Sequence, residues 1–209
     1  MNTWTFDKSV ADNFEEHAKK HIPNYLKVIE KALSVCQRYP TNSKIIDVGA
    51  AVGTTLRTLN RQGFDNLYGV DNSQDMLDKI DTDIAKLICK DKFPVEEAPF
   101  DIVIANWTLH FIKDKTEYLK DIYKSLNPGG ALILSEKTST DQLPTDFYYD
   151  YKRQQGVSEQ EILDKANSLI GKMFVENPQW YINILSELSF KQIYIIDADW
   201  CFTSFLAIK

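Results

Sequence analysis

At 209 residues, with 44% hydrophobic and 26% charged side chains, the chain has the make-up of one ordinary globular domain. That length buries a sizeable core without disulfides or structural metal. The net charge of −6, with no run of lysines and arginines, argues against a long nucleic-acid partner, because phosphate neutralisation needs a basic stripe. Three cysteines (Cys36, Cys89, Cys201) and three histidines (His17, His21, His110) fit neither a disulfide framework nor a metal motif, so no metal site is expected. The longest apolar runs, such as Ala131 to Leu134, are too short to cross a bilayer, and the acidic N-terminus does not read as a secretion signal. A cytoplasmic protein without membrane contact is the expectation.

The first forty-two residues read as a helical extension of a single domain that spans the whole chain, 1–209. Asp7 is placed to cap a helix carrying Val10, Phe14 and Ala18. Pro23 suits the first turn of a second helix with Leu26, Ile29 and Leu33 as its apolar stripe. From residue 43 onward strands and helices alternate. Ile45 to Val48 predicts a strand and Thr54 to Gln62 a helix; Asn66 to Val70 and Gln74 to Ile80 repeat the pair. A weak strand near Ile84 to Ile88 follows, then a buried strand from Phe100 to Ala105, a helix from Lys115 to Leu126 and a buried strand from Ala131 to Leu134. Such alternation predicts an α/β fold of three layers, a mostly parallel sheet covered on both faces. Thr138 to Tyr151 is polar and aromatic and too long for a simple connection. Val157 to Lys172 and Pro178 to Leu188 read as helices. Gln192 to Ile196 and Trp200 to Ile208 are so closely spaced that they must pair antiparallel.

The segment Asp47-Val48-Gly49-Ala50-Ala51-Val52-Gly53-Thr54 carries a buried strand through a two-glycine turn into a helix. Gly49 permits a sharp turn and close ligand approach, with Ala50 beside it, and Gly53 permits the same at the helix start. Asp47 stands just before the turn, where it can accept a hydrogen bond from an ammonium group. A plain glycine-bearing turn explains the same residues. Asp71-Asn72-Ser73 narrows the choice: an acid about twenty residues past the turn suits the vicinal hydroxyls of an adenosine ribose. A helix N-cap is the alternative for Asp71, although Asn72 or Ser73 serves that purpose as well. The glycines read G-x-x-x-G, with Ala51 near the place of a middle glycine, so a dinucleotide's pyrophosphate is less well served than a phosphate-free adenosine. S-adenosyl-L-methionine is therefore the expected cofactor. Asp91 is placed to reach the adenine amino group, with Lys92 after it, and Asn106-Trp107 ends the fourth strand at the same sheet edge. Asn127 to Gly130 is a structural turn at the opposite edge.

These stretches, together with Trp4-Thr5-Phe6-Asp7, Pro23-Asn24-Tyr25, Asn106 to Phe111, Leu126 to Ser139 and Tyr151-Lys152-Arg153, resemble class I methyltransferases. Among these they are similar to the carboxy-S-adenosylmethionine synthase family of the tRNA wobble-uridine pathway. The resemblance covers nearly the whole chain, and Trp-Thr-Phe-Asp and Leu-Ser-Glu-Lys are its most specific parts. It implies a Rossmann-like fold, a homodimer and a cofactor lined by Tyr25, Gly49, Asp71, Asn72, Asp91, Lys92 and Asn106. It also implies synthesis of carboxy-S-adenosyl-L-methionine from S-adenosylmethionine and prephenate. One departure stands out. The family carries an arginine for the added carboxylate in the helix before the last two strands, and this chain has Ile184 there. Arg57, Arg61 and Arg153 are the candidate substitutes. A charge-assisted hydrogen bond to a carboxylate is worth roughly 1.5–3 kcal/mol. An isoleucine thus favours the ordinary cofactor, and methyl transfer to a small-molecule acceptor is the leading expectation. The synthase is the alternative, and an inactive cofactor-binding regulator the third.

Methyl transfer draws much of its rate from positioning, so a base is optional. His110 and Tyr149 are the catalytic candidates, His110 as a base or as a plain structural histidine. The aromatic group Phe147, Tyr148, Tyr149 and Tyr151 reads equally as a lid or as core. Trp4 and Phe6 are expected to pack on the sheet.

Overall fold

The computed structural model describes residues 8–209; Trp4, Thr5, Phe6 and Asp7, and with them the predicted Asp7 cap, lie outside the described residues. Seven strands form one sheet: β1 Ile45–Val48, β2 Leu67–Asp71, β3 Lys86–Cys89, β4 Phe100–Asn106, β5 Leu126–Lys137, β6 Gln192–Asp199 and β7 Phe202–Ile208. Their order is β3-β2-β1-β4-β5-β7-β6. β1, β2, β3, β4 and β5 run parallel, and β7 inserts antiparallel between β5 and β6. The parallel strands are short Ile/Val/Leu runs because both of their faces are covered. The chain leaves β1 towards β2 and β3, then returns to lay β4 on the other side of β1. The strand order thus reverses at the carboxyl ends of β1 and β4, the crevice where open α/β sheets bind ligands.

Period-two alternation divides the core into two halves. Ile45, Ile102, Ile104 and Ile133 face Ala32 and Cys36 of helix α3 (Tyr25–Cys36) and Leu56 and Leu59 of α4 (Thr54–Arg61), once α1 (Lys8–Asp12) and α2 (Phe14–His21) have led in. Ile46, Val48, Val103, Leu132 and Leu134 face the other way. Past the short α5 (Gln74–Leu77), they pack on Leu119 and Ile122 of α6 (Lys115–Ser125). After α7 (Gln142–Gln154) and α8 (Glu159–Ser168), α9 (Pro178–Glu187) adds Tyr181, Ile184 and Leu185 to this second half. No helix among the described residues is long and apolar enough to cross a membrane.

Several predicted boundaries move. The first helix is two, broken at Asn13, yet Phe14 and Ala18 still pack inward against Tyr25 and Ile29. Pro23 lies ahead of α3, whose cap is Asn24 in the left-handed region (φ 57°), so the proline shapes the turn and not the helix. α5 stops at Leu77, three residues short of the prediction. The stretch from Thr138 to Tyr151, predicted without a helix, contains most of α7; Pro144 sits in its first turn, where its missing N–H costs nothing.

Candidate functional site: a cofactor crevice joined to a lysine-lined cavity

At the end of β1 the turn is set by Thr108, whose hydroxyl donates to the Val48 carbonyl at 2.9 Å. Gly49 has φ +72°, and a Cβ there would stand 2.0 Å from Thr108 Oγ1, so only glycine fits. Gly53 (φ +80°) starts α4 with its missing Cβ 2.8 Å from Ile80, which makes it a packing position, not a cavity wall.

Asp71 closes β2. Its Oδ2 accepts the Ala51 N–H and its Oδ1 the Ser73 N–H, both at 2.9 Å, and each oxygen keeps a lone pair for a ligand. The helix cap falls instead to the Ser73 hydroxyl, which accepts the Met76 N–H at 3.3 Å. Burial pushes the Asp71 carboxyl up, opposed by backbone N–H groups of Ser73, Ala51 and Asn72. Asp47 is pushed further, to about 8, first by burial and then by the charge of Asp71; the Thr55 hydroxyl acts the other way.

A cavity of about 730 Å³ is walled by Gly49, Asp71, Asn72, Asp91, Asn106 and Trp107. It meets a smaller one, about 330 Å³, at Gly49, Asn106 and Trp107, where Tyr25, Asp47 and Ala50 are added. Asn106 is buried with neither its Oδ1 nor its Nδ2 hydrogen-bonded, an orphaned amide at the join of the two spaces. Trp107 beside it holds a left-handed backbone (φ 58°) and stacks on Tyr25 at 5.0 Å, a strain of the kind that gathers at ligand sites. Carboxylates thus stand at both ends of an elongated crevice, with bare glycine backbone and an unsatisfied amide between them. This donor and acceptor set fits adenosine at the Asp71 and Asp91 end and an amino-acid ammonium at the Asp47 end.

Trp107 and Phe111 also wall a second cavity, about 830 Å³, roofed by α2, α7 and α8. Its basic side chains are Lys137, Lys152, Lys165, His17, His21 and His110, beside the phenols of Tyr148 and Tyr149. No carboxylate among the described residues lies within ion-pair distance of Lys137 or Lys152, which sit instead over the Tyr148 ring at 5.1 and 4.3 Å. Burial, then Lys137, brings the Lys152 ammonium down to about 8, and burial, then Lys152, brings Lys165 to about 6. Burial holds His17 near 4 and His21 near 3.

The structure therefore gathers Tyr25, Asp47, Gly49, Ala50, Asp71, Asn72, Asp91, Asn106 and Trp107 on one crevice, and His110 and Tyr149 on the adjoining cavity. Lys92 lines none of these spaces; Lys90 takes the wall position and pairs with Glu96 at 2.7 Å. The candidate substitutes for the family arginine are engaged elsewhere. Arg57 bonds the Val52 carbonyl and lies 3.5 Å from Glu15, Arg153 pairs with Asp150 and Glu159 on the surface, and Arg61 is exposed. Ile184 belongs to the core with Tyr181, Leu185 and Phe190 and lines none of the three cavities. Sequence reasoning missed Thr108, Glu136, Lys137, Lys152 and Lys165 as site residues. Leu-Ser-Glu-Lys held Glu136 and Lys137, and the resembling stretches Asn106 to Phe111 and Tyr151-Lys152-Arg153 held Thr108 and Lys152, so Lys165 alone had no signal.

A Rossmann-like sheet with one antiparallel strand near its end, bearing an adenosine-shaped crevice at the switch point, defines the class I S-adenosylmethionine-dependent methyltransferase fold. A family model described as "Methyltransferase domain" matches residues 15–193. Full-length similarity joins the chain to carboxy-S-adenosyl-L-methionine synthases: 31% identity to that of Haemophilus ducreyi, covering 100% of this chain and 93% of the relative, and 31% to that of Pasteurella multocida, covering 100% and 95%. A solved methyltransferase of Thermotoga maritima, named as a possible histamine N-methyltransferase, superposes with a TM-score of 0.70 at 15% identity over 100% of both chains. The magnesium protoporphyrin IX methyltransferase of Synechocystis with bound S-adenosylhomocysteine does so with 0.70 at 14%, over 98% and 96%. The chain belongs to the class I S-adenosylmethionine-dependent methyltransferase family and is a relative of the carboxy-S-adenosyl-L-methionine synthases. It is a transferase, and S-adenosyl-L-methionine is its cofactor.

Proposed function

We propose that the chain makes carboxy-S-adenosyl-L-methionine from S-adenosyl-L-methionine and an anionic carboxyl donor, which the family resemblance gives as prephenate. The observation that carries this reading is the pair of Lys137, half-buried, and Lys152, buried, neither with a carboxylate partner among the described residues, in a cavity that shares Trp107 and Phe111 with the cofactor crevice. Two ammonium groups drawn partly or wholly out of water want anions, and each charge-assisted bond is worth roughly 1.5–3 kcal/mol. The cation that Ile184 lacks is thus supplied from β5 and α7. Asp71 takes the ribose hydroxyls, Asp91 the adenine amino group and Asp47 the ammonium, while Tyr25, Gly49, Ala50, Asn72, Asn106 and Trp107 complete the cofactor's walls. The resemblance adds a homodimer, a cytoplasmic setting and a place in tRNA wobble-uridine modification, with the tRNA itself not a direct substrate. An inactive regulator is disfavoured by the intact crevice.

Methyl transfer to a small acceptor is the second reading, favoured by the placement of His110 on the same cavity, 2.8 Å from a buried carboxylate. The test is mass spectrometry of small molecules released by heating fresh protein, followed by turnover with S-adenosylmethionine and prephenate. Carboxy-S-adenosylmethionine in either experiment supports the first reading. S-adenosylhomocysteine alone, with no product from prephenate, transfers the site to the second.

A further inference from the structure

Glu136 stands fully buried near the carboxyl end of β5 and is engaged through both oxygens. Its Oε1 accepts the N–H groups of Thr108 at 3.1 Å and Leu109 at 2.8 Å. Its Oε2 meets His110 Nδ1 at 2.8 Å, with the Tyr181 hydroxyl donating from 3.5 Å. A carboxylate with this set of partners offers only acceptors, so Nδ1 carries a ring hydrogen, and in the neutral imidazole Nε2 carries the lone pair. With Nδ1 turned to Glu136, the edge of the ring left to line the second cavity is the Nε2 edge. The ring is also held in place. The His110 carbonyl accepts the Phe174 N–H at 2.7 Å, and the imidazole packs on Phe111 at 4.5 Å.

An acceptor nitrogen on a rigid mount is an odd fitting for a cavity whose lysines, Lys137 and Lys152, donate. It suits a ligand that presents a carboxylate to the lysines and an O–H or N–H to the histidine. The walls between them are aromatic (Trp107, Phe111, Tyr148, Tyr149), which fits a ring. We infer that His110, oriented by Glu136, is the catalytic base of a methyl-transfer activity at this site, on a ring-sized acid bearing a hydroxyl or amino nucleophile. The inference rests on the second reading above and names its base and its substrate class. As the acceptor oxygen or nitrogen bonds to the methyl carbon, the carbon–sulfur bond breaks and its electron pair stays on sulfur. The acceptor's proton passes to His110 Nε2, the resulting imidazolium faces the Glu136 carboxylate, and the proton returns to water as the products leave. Glu136 touches no substrate and is a positioning residue.

The experiment uses the full chain with S-adenosylmethionine and three probe acids, 4-hydroxybenzoate, salicylate and anthranilate, read by mass spectrometry for methylated product and S-adenosylhomocysteine. At least one probe is expected to be methylated. His110→Gln is expected to lower kcat about 10²–10⁴-fold with KM for the acid changed by less than about threefold. Glu136→Gln, isosteric and still able to accept the backbone N–H bonds, is expected to lower kcat in the same way. Long-range ¹H–¹⁵N spectra of ligand-free protein are expected to show His110 as the Nδ1–H tautomer, lost in Glu136→Gln. Neither residue lines the cofactor crevice, so both variants should bind S-adenosylmethionine like the parent, which checks their folding. Methylation of none of the probes, an Nε2–H tautomer in the parent, or a His110→Gln variant with undiminished kcat each overturns the inference. Turnover of prephenate to carboxy-S-adenosylmethionine is scored separately, so the first reading fails or stands on its own product.

Discussion

Asp47→Asn separates what the fold tolerates from what the cofactor needs. Asp47 is fully buried, and burial, then the neighbouring Asp71, lifts its carboxyl from 3.8 to about 8. Because the folded chain holds this proton more tightly than the unfolded chain, the contribution of Asp47 to stability is most favourable below pH 3.8 and is lost as pH rises to about 8. The slope is about 1.4 kcal/mol per pH unit, up to roughly 6 kcal/mol over the window. Asparagine keeps the shape and a partner for the Thr55 hydroxyl but carries no charge. In calorimetry of ligand-free protein at pH 8 the variant is expected to be about 2–5 kcal/mol more stable, a Tm rise of about 5–15 °C. The gain should shrink by about 1.4 kcal/mol per unit as the pH is lowered towards 5. Binding runs the opposite way. The ammonium of S-adenosylmethionine loses a charged partner, so Kd should rise about 10- to 100-fold. A Tm difference that does not change between pH 5 and pH 8 refutes the account of Asp47 as a strained acid; an unchanged Kd refutes its role towards the ammonium.

Asn106→Ala should leave the ligand-free protein as stable as before, since neither amide atom has a partner to lose, while weakening S-adenosylmethionine about 10- to 100-fold by calorimetric titration. Gly49→Ala meets Thr108 Oγ1 and a positive φ together, and thermal melts should show a loss of about 2 kcal/mol or more. Lys152, brought from 10.5 to about 8, loses its proton earlier in the folded chain than in the unfolded one. Stability should therefore rise between pH 8 and 10.5, while the affinity for prephenate falls by as much as about tenfold per unit above pH 8. A prephenate Kd that is flat from pH 7 to 9 counts against Lys152 as its partner. Ile184→Arg should destabilise by about 3 kcal/mol or more, because it places a guanidinium in the core of Tyr181, Leu185 and Phe190. A stable variant that makes more carboxy-S-adenosylmethionine would bring this position back to the site.

The crevice was legible in the sequence because its residues sit where a short-range rule puts them: Gly49 and Asp47 at the end of a buried strand, Asp71 and Asn106 at the ends of two others. Once β1, β2 and β4 run parallel, all four reach one sheet edge, whatever the details of packing. Lys92 failed by two positions, since β3 ends at Cys89 and the first lysine to reach the wall is Lys90. The second cavity follows no such rule. Lys137 ends β5, Lys152 lies in a helix that an aromatic, proline-bearing stretch concealed, and Lys165 comes from the next helix. Only the packing of α2, α7 and α8 over the sheet brings three scattered surface-type residues to the wall of one cavity.

Ile184 shows the converse limit. Aligned by its distance from Ser189-Phe190, it looked like the loss of a pocket cation, and the preference for plain methyl transfer was built on that loss. In the fold the position faces the core, so its side chain can neither admit nor exclude a carboxylate within its own chain. What decides the charge of the second substrate is the lining of the space beside the crevice, and among the described residues that lining offers lysines from three elements and no acid. Charge balance, read from the cavity and not from one aligned residue, is therefore the better guide to what this transferase accepts. It favours an anion whether the group finally transferred is a methyl or a carboxyl.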